Sequence, residues 1–290
     1  MFDLPFGSPQ QPVAARRYRL LRAAMCPFAP RPVIARALLG LEDAVSLGTT
    51  SSVNTEQGWQ FALEEGGRDP VMQVPGVREL YQASAPDYTG PFSVPVLVDT
   101  ATGQIVRRES MEILRDFSTT FRPLHRAGAP DLYPPAWQSQ IDEWNEKLSQ
   151  ELVANIYRMG RTTEQAVYDQ AFDACFASLD ALEQRLASRR YFHGERLTET
   201  DIVLFTPLVR FDLIYHPVFG ANRQYLRDYP HLWGYVRELY QMPAFKDSTD
   251  FAAIKQGYYS GTGSRYVYAR EIVPKGPDLS AWDAPHGRSG

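Results

Sequence analysis

The stretch from Tyr18 to Gly40 restricts this chain more than any other. Tyr18 to Met25 is an apolar-rich run of strand length. A turn holding Cys26 and Pro27 follows, then the apolar run Val33 to Leu39, which Gly40 can close as a helix from the C′ position. Pro27 suits the first helical position, where its missing N–H costs nothing. A thiol at such a turn meets backbone N–H groups without helical partners and the positive end of the helix dipole. That setting favours thiolate and lowers the cysteine pKa from its free value of about 8.5. Pro30 and Pro32 fall within the first two turns, and each removes a helical hydrogen bond and crowds the turn before it. The helix is therefore irregular at its start or becomes regular only after Pro32, with the N–H groups of Phe28 and Ala29 open to the sulfur. A buried, inert thiol is the alternative for Cys26. A Cys-Pro pair directly after a strand points instead to a reactive one.

Composition narrows the class. The chain has 290 residues, 44% hydrophobic and 22% charged, with a formal net charge of -4. This suits one large domain or two smaller ones, and the mild acidity gives no reason to expect nucleic acid or an anionic membrane as partner. The longest apolar runs, such as Val33 to Leu39, fall far short of the roughly 20 residues that span a bilayer. No basic segment followed by an apolar one opens the chain, so no secretory signal is expected. Two cysteines, Cys26 and Cys175, cannot build a disulfide framework, and a cytoplasmic location is the natural expectation. No metal is expected: CxxC and HExxH are missing, and His125, His193, His216, His231 and His286 are scattered.

Residues 1–17 read as an extended leader without its own core. Ala44 to Gly48 is a second strand, and the polar segment from Thr49 to Gly90 is rich in turn formers. Within it, Trp59 caps a small core or lies over a ligand. Phe92 to Asp99 forms a strand, Thr102-Gly103 a turn, and Gln104 to Arg107 the returning hairpin partner. Pro95 cannot occupy a central ladder position, so the strand starts there or the Val94-Pro95 bond is cis. A cis bond would expose the Val94 backbone for pairing with an extended ligand. Glu109 and Ser110 open a helix over Met111 to Phe117. Ser110 caps that helix, or its free N–H groups bind a carboxylate.

Strand, helix, strand, hairpin and helix match a thioredoxin-like α/β domain over 18–120. After a linker over 121–136 the pattern becomes helical. Ile141, Trp144, Leu148 and Leu152 recur at three- and four-residue steps, and Ala166 to Leu186 is a long amphipathic helix with Cys175 on its apolar face. Thr198 and Asp201 can form a reciprocal cap before the apolar helix Ile202 to Phe211, and Leu232 to Tyr240 is a helix stopped by Pro243. The all-helical domain spans 137–256. The tail over 257–290, with Tyr258, Tyr259 and Ile272 to Pro277, is expected to be extended and to pack back near the active site.

Cys26-Pro27-Phe28-Ala29, Gly58-Trp59, Val94-Pro95-Val96-Leu97, Glu109-Ser110, Ile156-Tyr157-Arg158, Leu197 to Ile202, Val209 to Asp212, Asp228 to Tyr235 and Ile272 to Pro277 occur in this order. Together they make the chain resemble the glutathionyl-hydroquinone reductases, the Xi class of glutathione transferases, from about Tyr18 to Pro277. The resemblance implies a thioredoxin-like domain followed by an all-helical one. It implies that Cys26 attacks the sulfur of a glutathionyl-hydroquinone, that hydroquinone leaves, and that a second glutathione resolves the mixed disulfide. By the same resemblance Tyr157 and Tyr258 line the hydroquinone pocket. With 16 tyrosines in the chain, ordinary packing is the alternative reading for both. Phe28, Trp59, Val94, Pro95, Glu109 and Ser110 correspond to thiol-binding positions. Val94 pairs with the cysteinyl backbone, Glu109 takes the γ-glutamyl amino group, and Ser110 takes its carboxylate. A homodimer is also implied.

The chain departs from the family at Phe28 for Trp, Pro30 for His, Pro91 for Arg and Gly257 for His, and again around Ser264 to Tyr268. Three readings stay open: a glutathionyl-hydroquinone reductase, a lyase or transferase using another low-molecular-weight thiol or acceptor, and a non-catalytic ligand-binding protein. The natural quinol is not specified by these residues.

Overall fold

A computed structural model describes residue 2 and residues 4–260 and 272–288. The stretch Ser264 to Tyr268 lies outside the described residues. The chain divides into two compact units, one of Met1–Pro130 with Ser248–Gly257, the other of Asp131–Asp247 with Tyr258–Gly290.

The first unit runs β1 (Tyr18–Ala23), α1 (Pro30–Leu38), β2 (Val45–Thr50), α2 (Val77–Ser84), β3 (Val96–Asp99), β4 (Gln104–Arg107) and α3 (Ser110–Ser118). The sheet order is β2-β1-β3-β4, with β2 parallel to β1 and both other pairs antiparallel. This is the thioredoxin-like mixed sheet. As a central strand β1 buries Tyr18, Leu20, Leu21 and Ala23, and its Arg19 is buried against Asp69 at 2.7 Å. A buried cation requires such a partner.

Helix α1 starts three residues later than Pro27. Ala29 is its N-cap and Pro30 its first residue. Pro30 and Pro32 therefore occupy first-turn positions, where an N–H would lack a helical partner in any case. Gly40 follows the helix with φ +70°, the left-handed conformation that suits a C′ glycine. A side chain there would also meet Arg126 at 2.6 Å. Helix α2 was not evident in the polar segment. Its buried Val77, Leu80 and Tyr81 form a short i, i+3, i+4 stripe among polar neighbours.

The leader is laid onto this unit rather than standing free. Phe2 meets Tyr81 and Tyr88 edge-on at 5.8 and 5.7 Å, and Phe6 meets Tyr18 and Phe121 at 5.2 and 5.0 Å. Arg107 donates from Nη1 to the Leu4 carbonyl at 2.8 Å.

The second unit holds α4 (Gln138–Lys147), α5 (Ala154–Arg161), α6 (Gln165–Leu186), α7 (Glu199–Leu208), α8 (His216–Phe219), α9 (Pro230–Tyr240) and α10 (Pro243–Lys246). Helix α11 (Phe251–Tyr259) begins in the first unit, and its last two residues, Tyr258 and Tyr259, belong to the second. The periodic run after Ile141 is not one regular helix, because a π-type segment, Leu148–Val153, joins α4 to α5. All ten residues of α7 are buried.

At its start, Asp201 accepts from the backbone N–H and the hydroxyl of Thr198 at 2.8 and 3.0 Å, so the reciprocal cap forms. Pro207 has no N–H for the Val203 carbonyl, and the Thr206 hydroxyl donates to that carbonyl instead, at 3.1 Å. The apolar run is longer than the sequence suggested: the 21-residue stretch Glu199–Phe219 contains an 18-residue window of mean hydropathy 1.4, and 83% of that window is buried in the protein. Such a stretch passes a length test for membrane spanning, and its burial is that of a core helix.

Two expectations for the tail are corrected. Gly257, Tyr258 and Tyr259 are helical, since they end α11. Residues 272–278 are exposed and extended, whereas the segment after them docks on α9. There Trp282 sits against Trp233 and Tyr240 at 4.9 and 5.2 Å, and Arg288 reaches the buried Glu238 at 3.2 Å.

Candidate active site

In the first unit the loop between β1 and α1 holds Cys26, almost fully buried. Its backbone N–H donates to Ala23 at 3.0 Å, which tightens the turn at the strand end. The thiol Sγ donates to the Val94 carbonyl at 3.3 Å. Val94-Pro95 is a cis peptide directly preceding β3, so the strand starts after Pro95 and the bond is cis as well. Because α1 begins at Pro30, Cys26 is not at the helix N-terminus. Pro30 and Pro32 lack N–H groups, and the Arg31 N–H bonds the Phe28 carbonyl at 3.2 Å. The Val94 carbonyl is thus one direct contact of the sulfur.

Glu109 is the N-cap of α3 and Ser110 its first residue. The Glu109 carboxylate is solvent-exposed, 3.4 Å from Arg108. Ser110 is buried and makes no side-chain cap. Its Oγ accepts from Arg31 Nη1 at 3.3 Å. The Arg31 guanidinium is itself buried and lies 5.0 Å from the centre of the Phe28 ring. Phe28, Arg31 and Ser110 therefore form a chain of contacts from the cysteine loop to the start of α3. Trp59 is half-buried in the loop after β2, and its carbonyl accepts the Val77 N–H that opens α2, at 3.0 Å. Its neighbour Phe61 is fully buried and supplies the core contact of that loop.

Two of the sequence departures have local explanations. A Cβ at Gly257 would lie 2.5 Å from Met25 Cγ and 2.6 Å from Met25 Cβ, so Met25, the neighbour of Cys26, fills the space a side chain would need. Near Pro91, Arg108 donates to the Tyr88 hydroxyl at 2.6 Å, and Tyr88 donates to the Pro91 carbonyl at 3.1 Å. A basic group, Arg108, thus remains in this region although position 91 is proline.

In the second unit Tyr157 on α5 and Tyr258 on α11 are both buried, with their hydroxyl oxygens 2.6 Å apart. Tyr215 brings a third hydroxyl to 3.3 Å from that of Tyr157. It ends a π-type segment, Phe211–Tyr215, of the kind that often marks functional positions. Sequence reading overlooked Tyr215 and Arg31. A cation between two prolines inside an apolar run was a usable signal for Arg31, whereas Tyr215 looked like any core aromatic. Cys175 is fully buried on α6, and burial pushes its thiol up to about 12. Among the described residues no group of three or more His, Cys, Asp or Glu side chains is placed to hold a metal ion.

A thioredoxin-like unit followed by an all-helical one is the fold of the glutathione transferases. The family model for the glutathione S-transferase C-terminal domain matches residues 165–238. The glutathionyl-hydroquinone reductase YqjG of Escherichia coli (strain K12) is 39% identical over 276 residues, covering 94% of this chain and 82% of that protein. Its glutathione-bound structure superposes with a TM-score of 0.88 at 38% identity, over 95% of this chain and 89% of that one. A glutathione transferase from Gordonia bronchialis gives 0.92 at 42% identity, covering 97% and 87%. A Xi-class transferase from Natrialba magadii gives 0.90 at 38% identity, covering 98% and 89%. The chain belongs to the glutathionyl-hydroquinone reductase family, the Xi class of these glutathione-dependent enzymes.

Proposed function

We propose that this protein reduces glutathionyl-hydroquinones to hydroquinones with Cys26 as nucleophile. The Cys26 thiolate attacks the glutathionyl sulfur, and a sulfur–sulfur bond forms as the sulfur–aryl bond breaks. The aryl carbon keeps the bonding pair, takes a proton and leaves as hydroquinone. A second glutathione thiolate then attacks the mixed disulfide, releasing glutathione disulfide and regenerating Cys26. The two glutathionyl sulfurs are oxidised and the aryl carbon is reduced.

The observation that carries this reading is the placement of Cys26 Sγ 3.3 Å from the Val94 carbonyl, at the residue assigned to pair with the backbone of a thiol peptide. A tripeptide aligned along Val94 would present its own sulfur next to Cys26. Glu109 and Ser110 receive its γ-glutamyl end, and Phe28, Trp59 and Pro95 form the apolar walls. Tyr157 and Tyr258 hold or deliver the proton for the leaving carbon, a role supported by their shared hydrogen bond. The names of YqjG and its glutathione-bound structure support the substrate class and the thiol. We further propose a cytoplasmic homodimer, with a leader over 1–17, a thiol-binding domain over 18–120, a linker over 121–136, a helical domain over 137–256 and a C-terminal tail over 257–290.

The test is intact-protein mass spectrometry after incubation with glutathionyl-menadione, on wild type and Cys26→Ser, with free hydroquinone quantified in parallel. Hydroquinone release with a glutathione adduct on wild type alone is the expected result. Neither signal on wild type would turn attention to a second reading, supported by Pro91 and by Met25 filling the space at Gly257. In that reading Cys26 works with another low-molecular-weight thiol.

A further inference from the structure

The hydrogen bond between Arg31 and Ser110 has a fixed direction. A guanidinium carries only donors, whereas a hydroxyl carries one proton and two lone pairs. Arg31 Nη1, 3.3 Å from Ser110 Oγ, must therefore donate, and the oxygen must accept. Among the described residues Ser110 makes no side-chain bond as donor, although it is only 8% exposed. Its single proton is consequently available to a ligand. Ser110 is also the first residue of α3, a nine-residue helix whose initial N–H groups and dipole favour an anion. Arg31 adds a full positive charge behind this position, held by the Phe28 ring and only 5% exposed.

We infer that Arg31 is a positioning residue that orients the Ser110 hydroxyl as a donor, and so makes this site select a thiol with a carboxylate, not a carboxamide, at its γ-glutamyl end. This rests on the reading of Glu109 and Ser110 as the γ-glutamyl site. With the Ser110 oxygen committed as acceptor, an anion meets a donor, a helix start and a cation. An amide nitrogen meets donors facing its own donors, which leaves buried polar groups unpaired.

The experiment compares glutathione with two derivatives, one amidated at the γ-glutamyl α-carboxylate and one esterified at the glycyl carboxylate. Binding is measured by calorimetry on Cys26→Ser protein, and KM and kcat on the active enzyme. The parent should bind the amide at least tenfold more weakly than glutathione. Arg31→Met should weaken glutathione binding about tenfold, leave amide binding nearly unchanged and raise KM more than it lowers kcat. Arg31→Lys should restore part of the discrimination. Ser110→Ala keeps the cation and should lose the same discrimination, with the double variant no worse than the singles. It also serves if Arg31→Met does not fold. Full discrimination in Arg31→Met or Ser110→Ala overturns the inference, as does a parent that binds glutathione and the amide equally or binds neither. If the Cys26→Ser protein discriminates in calorimetry but the protein with Cys26 intact releases no hydroquinone, the reductase reading falls while the role of Arg31 stands.

Discussion

The hydroxyl oxygens of Tyr157 and Tyr258 lie 2.6 Å apart although 101 residues separate them in the chain. Both side chains are buried, and Tyr157 makes a second, longer contact with Tyr215 at 3.3 Å. One phenol must donate to the other, and the receiving phenol keeps its own proton for a further partner. Tyr258→Phe should reduce hydroquinone release about a hundredfold, the scale of a lost proton donor. Glutathionylation of Cys26 by glutathione disulfide should continue at the wild-type rate, because disulfide exchange protonates no carbon. Equal loss in both assays would remove the proton-transfer role and leave only packing.

Gly257 is predicted to be intolerant of any side chain. A Cβ there meets Met25 at 2.5 Å. Gly257→Ala should cost about 1–3 kcal/mol, as overpacking of a filled site does. Met25→Ala combined with Gly257→Ala should recover part of that loss. Thermal unfolding of the two singles and the double is the check, and strictly additive losses would sink the assignment.

His193 makes stability depend on pH. Burial, and then the charges of Arg185 and Arg189, push its pKa down from 6.5 to about 4. Its Nε2 is 3.0 Å from Thr200 Oγ1, and the ring stacks on Trp137 at 6.2 Å. The unfolded chain binds this proton at higher pH than the folded one. The contribution is therefore complete above about pH 6.5 and falls away as pH drops toward 4, by up to about 3 kcal/mol. Urea unfolding of wild type and His193→Gln at pH 7 and pH 4.5 should show a smaller pH dependence in the variant. Parallel profiles would mean that other groups carry the effect.

Cys175 should be inert in the folded protein, since burial holds its thiol up at about 12 and the thiolate is the reactive form. Iodoacetamide at pH 8 should label folded wild type at Cys26 only. Folded Cys26→Ser should take up no label until denatured. Native labelling at Cys175 would contradict the packing role given to it.

Much of the fold was legible because its signals are local. The reciprocal cap of Thr198 and Asp201 spans three residues, and the hairpin turn at Thr102-Gly103 sits between two strands of suitable pattern. Helix α2 was missed because its stripe is short and set among turn formers. The start of α1 was misplaced by three residues because a proline fits a helix start at Pro27 as well as at Pro30. The length of the apolar run through Phe219 was underestimated because polar Asp212 and His216, both only partly buried, interrupt its pattern.

The sequence by itself determined the strand and turn that carry Cys26, the reciprocal cap at Thr198, and the hairpin after Pro95. Each follows from residues within one or two turns of one another, where backbone geometry and hydrogen-bonding capacity decide the outcome. Only the tertiary structure decided that Tyr157 meets Tyr258, that Met25 fills the space at Gly257, and that Arg31 binds Ser110 across 79 residues of chain. Such contacts have no local pattern. They are set by which buried faces pack together, and burial then requires each polar group brought inside to find a partner.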